Sequence, residues 1–145
     1  MKWLLFTHVA VTWSMVGLIW VVQLVHYPLM AVVGSANSVG YQQQHVRRIG
    51  WIVMPLMVVE FLSVVAICMA SVHLSAPWLA WAGATLLGLI WIVTASCSVP
   101  AHGVLQAGFQ MSAHQHLVRT NWLRTMGWSL RGCIALAMAS GLATM

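Results

Sequence analysis

His45-Val46-Arg47-Arg48-Ile49-Gly50-Trp51 returns 71 residues further on as His116-Leu117-Val118-Arg119-Thr120-Asn121-Trp122, so that His-x-x-Arg-x-x-Trp stands twice in the chain. Each copy lies just ahead of an apolar run long enough to enter a bilayer. Gly17-Leu18-Ile19-Trp20-Val21-Val22 reappears as Gly88-Leu89-Ile90-Trp91-Ile92-Val93 at the same offset. Two echoes at one offset imply a duplicated two-helix unit, with repeat halves of about 1–71 and 72–145 inside one transmembrane domain covering 1–145.

Composition sets the class. Of 145 residues, 61% are hydrophobic and 5% charged, with a mean hydropathy of +0.90, whereas about a quarter of a soluble domain is charged. The expected fold is an all-α integral membrane four-helix bundle made of two tandem two-helix repeats. Glu60 is the sole acid, and Lys2, Arg47, Arg48, Arg119, Arg124 and Arg131 are the bases. Such a set forms no broad basic face, which argues against a nucleic-acid partner. Cys68, Cys97 and Cys133 fall in apolar segments, an unsuitable setting for a disulfide framework. The ten methionines are scattered, as core packing requires; Met54-Pro55-Leu56-Met57 is a lone Met-x-x-Met and not the repeated cluster of a copper carrier.

The first span is read from Trp3 to Val25, too long for a signal-peptide core. The chain is expected to turn at His26-Tyr27-Pro28 into a Gly/Ser/Asn-containing loop. The second span runs from about Ile49 to Met69 with a kink at Pro55, and Ser71 to Pro77 makes a hairpin to the third, Trp78 to about Ser98, ended by Val99-Pro100. Residues 101–120 read as an interfacial loop or short surface helix. The fourth span is placed from about Asn121 to Leu142, with Cys133, Ala137 and Gly141 as a small-residue contact stripe. Both termini then share one side. Most basic residues lie at the other, which the positive-inside rule makes cytoplasmic, in a bacterial inner membrane.

That topology gathers His26, His45, His102, His114 and His116 at one membrane face. In a parallel two-helix repeat His45 and His116 hold symmetric positions, suited to opposite axial sites of haem b or to a cluster of iron, copper or zinc completed by His26 and His102. Arg48 and Arg119 fall about one turn deeper, where they would pair with haem propionates or another anion, and Trp51, Trp122 and Asn121 flank the cofactor. Any one such His, Arg or Trp more often caps a helix, snorkels or joins an aromatic belt. Five histidines at one face exceed what a belt needs, while His8 and His73 read as structural.

Glu60 and Arg131 stand at equivalent depth in the two repeats and are expected to face each other. A buried ion pair of this kind can simply fix helix register. Arg124, two turns before Arg131 on the same face, adds an inward cation, so at least one arginine lacks a carboxylate and an anionic ligand would balance it.

Val25-His26-Tyr27-Pro28-Leu29, His45-x-x-Arg48, Pro55-x-x-x-x-Glu60, Val99-Pro100-x-His102 and Thr120-Asn121-Trp122-Leu123-Arg124-Thr125 resemble, over nearly the whole chain, a group of small bacterial four-helix membrane proteins. Residues 99–125 are more distantly similar to the anthrone-oxygenase-like family, from which they depart at His102, where that pattern favours Asn. The distant resemblance implies oxidation of a lipophilic substrate at a membrane-embedded metal or haem. The close one points to His114 as the further ligand and the internal repeat to His116, so both stand.

Three functions fit these residues. The first is a haem- or metal-binding membrane oxidoreductase or oxygenase for a lipophilic or small substrate, with His45, His116, His114, His26 and His102 as metal ligands. In it His26, His102 and Glu60 are acid–base groups, and Arg48, Arg119, Arg124 and Arg131 bind the cofactor. The second is a non-catalytic cofactor-holding or assembly subunit of a larger membrane complex. The third is a proton- or ion-conducting module, which at four helices per chain needs a homo-oligomer. No nucleophile–base set, phosphate loop or paired carboxylates support hydrolase or nucleotide chemistry.

Overall fold

The computed structural model describes residues 1–141 and is helical throughout, with no strand among them. Four helical rods follow one another. α1 spans Lys2–Met30, α2 Ser35–Met69, α3 Trp78–Ala107 and α4 Met111–Ser140. By length and composition α1, α2 and α3 are apolar enough to cross a membrane. α4, with Arg119, Arg124 and Arg131 along it, is not among them.

The prolines at the ends of α1 and α3 do not break the helices, contrary to the turns expected at His26-Tyr27-Pro28 and Val99-Pro100. Each rod widens for five residues, Val22–His26 and Thr94–Ser98, into a π-helical turn, then resumes as Tyr27–Met30 and Val99–Ala107. Pro28 and Pro100 thus stand in the first turn of a renewed α-helical segment, where a fixed φ and a missing N–H are tolerated. Thr94 and Ser96 send their hydroxyls back to the Ile90 and Ile92 carbonyls, occupying acceptors beside the altered turn.

α2 begins at Ser35 instead of near Ile49. Gly34, at φ 81°, takes the left-handed turn into it that a side chain would disfavour. The Gly/Ser/Asn content suggests a loop, but Ser38 and Gln42 are buried and this part of α2 packs on the last segment of α3, so tertiary contact overrides propensity. α2 continues through Pro55, which removes one ladder bond, to the Trp51 carbonyl. α4 likewise starts ten residues before the expected Asn121, after a break at Gly108–Gln110. Its expected end at Leu142 lies outside the described residues.

α4 is the central post, packed on α1 and α3, while α2 leans on α1 and the end of α3. Three apolar layers fill the bundle. Leu5, Ile67, Leu74, Ala80 and Met138 lie toward the termini, and Met15, Val16, Ile19, Leu87, Ile90 and Trp128 in the middle. Val22, Tyr27, Met30, Ala101, Leu105 and Leu117 fill the opposite end. The expected small-residue stripe is not the contact, since Cys133 and Ala137 are exposed. Gly127 and Gly132 serve instead, against Ile90 of α3 and against Trp13 and Val16 of α1. Large apolar side chains such as Trp3, Trp51, Met54, Leu62 and Trp81 face outward, as lipid contact requires and water contact disfavours.

Candidate functional site

The end of the bundle where α1 and α3 finish and α2 and α4 begin collects three of the five predicted histidines. His26, in the π-turn of α1, stacks on His45 of α2 with ring centroids 3.9 Å apart and planes 23° from parallel. His102 of α3 lies 5.8 Å from His45. His26 closes the π-turn ahead of Pro28 and His102 follows Pro100 in the renewed helix, and both lie at the level of His45.

Their hydrogen bonding differs. His102 is held at both nitrogens, Nδ1 by the Gln42 amide and Nε2 by the Tyr27 hydroxyl at 3.2 Å. With Gln42 donating to Nδ1, neutral His102 carries its proton on Nε2 and donates it to Tyr27. His26 is held at one nitrogen only, Nδ1, by the Tyr41 hydroxyl at 3.3 Å, with the Tyr41 ring stacked alongside. Its Nε2 is buried with no partner. The ring is thus oriented from one side while its other nitrogen stays unsatisfied, and an orphaned buried polar atom is costly.

Two cavities meet at His45. The outer one, about 620 Å³, is lined by His26, Tyr41, Gln44, His45 and Arg48. The inner one, about 160 Å³, is walled by Met15, Ile19, Val22 and Val53 and topped by Tyr27, His45, Ser98, His102 and Arg124. Arg124 donates from Nη1 to Ser98 Oγ at 3.2 Å and to Asn121 Oδ1 at 3.0 Å, while its Nε is buried without a partner. Asn121 is held in turn by Gln23 at 2.7 Å. Convergent polar groups over an apolar chamber are the usual anatomy of a small-molecule site.

No family model, curated protein or solved structure matches this chain. The site is therefore read from its own geometry.

The remaining predicted residues lie elsewhere. His116 is exposed and takes no part in the ring contacts of His45, so the symmetric His45–His116 pair is not assembled. His114 is buried, but its Nε2 meets the Tyr27 carbonyl at 2.8 Å and its ring packs near Phe109. Arg119 is exposed beside His114, Arg48 is exposed at the rim of the outer cavity, and Trp51 and Trp122 face outward, Trp122 edge-on to Trp20. Among the described residues no group of three or more His, Cys, Asp or Glu side chains is arranged to hold a metal ion. The donor types suit one, but the His26 and His45 rings lie stacked and do not converge.

Glu60 and Arg131 do meet, at 2.5 Å, both fully buried. Thr12 also donates to Glu60, Arg131 donates to the Gly83 carbonyl, and His8 stands 3.6 Å from Glu60 and 2.8 Å from Ser63. His8 is thus part of the buried network. Glu60 lies 15 residues beyond His45 on α2, about 22 Å along the axis, with the middle apolar layer between, so it shares no site with the histidines.

Sequence reading missed Tyr27, Tyr41, Gln42 and Ser98. Tyr41 and Gln42 precede His45 by four and three residues, the spacing of one helix face, a signal hidden by reading 31–48 as loop. His8 and Thr12 carry the same i, i+4 signal on α1.

Proposed function

We propose that the protein is a membrane-embedded, metal-dependent oxidoreductase that binds its metal through His26 and His45 and a small or lipophilic substrate in the adjoining inner chamber. The observation that carries this reading is the buried, unpartnered Nε2 of His26, oriented through Tyr41 and stacked on His45. His26 and His45, which both line the outer cavity, would hold the ion there. The ion, iron, copper or zinc, would supply Lewis-acid or redox chemistry; His102, tied to Tyr27 and Gln42, holds a proton at the edge of the chamber. Haem b is the less favoured cofactor, because rings 3.9 Å apart leave no room for a porphyrin between them. If haem were bound, His45 would hold its iron and Arg48 would balance its propionate charge.

In this reading the four rods form a transmembrane bundle that arose by duplication. Support comes from the matched π-turns before Pro28 and Pro100 and from the meeting of Glu60 with Arg131, 71 residues apart. The histidine end faces the cytoplasm of a bacterial inner membrane, in keeping with its excess of arginines. A proton relay from the histidines to Glu60 is less well supported, because the layer of Met15, Ile19, Ile90 and Trp128 interrupts it.

Metal analysis of detergent-purified protein, with visible spectra before and after dithionite, tests the proposal. Near-stoichiometric metal without a Soret band is expected. A Soret band would shift the assignment to haem, and folded protein with neither signal, even after reconstitution with iron, copper or zinc, would overturn it.

A further inference from the structure

We infer that the inner chamber takes a compact monoanion with an apolar body, its negative head on Arg124. The inference deepens the proposed substrate site and rests on the chamber being where substrate lies, but it requires no metal. Charge balance comes first. Glu60 is the chain's only acid and its carboxylate is engaged by Arg131, so Arg124 has no carboxylate to meet. Its hydrogen bonds go to neutral oxygens: Nη1 donates to Ser98 and Asn121, and the Tyr27 hydroxyl is a further neutral partner of the guanidinium. The Nε side of the guanidinium, the edge that grips a carboxylate with two parallel bonds, keeps a buried, unsatisfied donor. An unbalanced cation inside a spanning bundle is costly and marks a ligand site.

Size and lining define the rest of the ligand. A cavity of about 150 Å³ lined by aliphatic side chains holds one benzene ring, and the chamber, about 160 Å³, is walled by Met15, Ile19, Val22 and Val53. That space admits one ring or a short branched chain, with the head among Arg124, Tyr27 and His102. It excludes a phospholipid headgroup with its chains. The exposed Arg47, Arg48 and Arg119 are the arginines that lipid phosphates reach. His45 lines both cavities, so a ligand arriving through the outer one passes its ring.

Calorimetric titration of the purified protein in uncharged detergent, metal-loaded and metal-stripped, with benzoate and with its neutral isostere benzamide, tests this. Benzoate should bind at least about 10-fold tighter than benzamide in both forms, the increment of a buried charge-assisted pair. Arg124→Gln should erase that preference. Val53→Phe, which fills the chamber without touching Arg124, should abolish benzoate binding while leaving the circular dichroism spectrum and the melting temperature near wild type. Equal affinities for the two probes would overturn the inference. So would benzoate binding that survives both substitutions, which would place the anion on surface arginines. Metal retention without benzoate binding overturns this inference alone, whereas benzoate binding by protein that takes up no metal upholds it and removes only the metal assignment.

Discussion

Around Glu60 the charges cancel and the neighbours close in. Arg131 meets the carboxylate, Thr12 donates to it, and His8 and Ser63 complete the shell. Around His26, His45 and Arg124 the charge is unmatched, His26 Nε2, Gln42 Oε1 and Arg124 Nε are buried without partners, and two cavities meet. The two networks share the same helices, so they differ in purpose more than in origin. A matched buried pair fixes the register of α2 against α4, and although Arg131 Nε is also without a partner, the charge there is already balanced by Glu60. An unmatched one is tolerated where something else completes it.

The contrast is broken most severely by removing one side of the matched pair. Glu60→Ala leaves Arg131 buried and uncompensated, and should destabilise the protein by about 3–5 kcal/mol in denaturant titration, as one-sided loss of buried pairs does. Replacing both residues by Met should recover most of that loss. A full-sized loss in the double variant would mean that the pair is more than a register device.

Gly127 lies on α4 between Arg124 and Arg131, and a Cβ there would come within 2.9 Å of Ile90 Cγ1. Gly127→Ala should therefore cost about 1–3 kcal/mol by overpacking. Metal content and benzoate affinity should stay near wild type, because the layer it disturbs separates the two networks. A parallel loss of binding would show them to be coupled.

Tyr41→Phe sharpens the other side. It deletes the group that orients His26, and outer-shell partners of ligating histidines are worth about 10-fold or more in metal affinity. The expected outcome is weaker metal binding in a competition titration with an unchanged melting temperature. The smallest effect should come from Arg124→Met. Hydrogen bonds to the neutral partners Ser98, Asn121 and Tyr27 are lost but an unmatched cation disappears, so stability should move by less than about 1 kcal/mol. A loss as large as that of Glu60→Ala would mean that Arg124 is architectural.

These two networks were not equally legible in the sequence. Glu60 and Arg131 are the kind of feature that survives translation into one dimension: single ionisable residues deep in apolar runs, at one repeat offset. The histidine site was legible in part. His26, His45 and His102 could be grouped once four spans were counted. The equivalence of His45 and His116 misled, because burial on a helix depends on which face the neighbours cover, and α4 turns His116 outward while α2 turns His45 inward. Pro28 and Pro100 read as helix ends because a proline inside a helix usually costs a bond. Widening each rod by one turn of π-helix put both in first-turn positions, a rearrangement that no local propensity reports. With the rods extended, Tyr41, Gln42 and Tyr27 become the partners of the histidines, and the polar stretches that looked like loops become the walls of the site.

The proposed metal site rests on His26 and His45. Metal per protein, measured for wild type and for His26→Ala, His45→Ala and His116→Ala after identical loading and verified folding, decides it. The expected result is near-stoichiometric metal in wild type and His116→Ala and its loss in His26→Ala and in His45→Ala. Retention in those two variants, or equal loss in His45→Ala and His116→Ala, would contradict it.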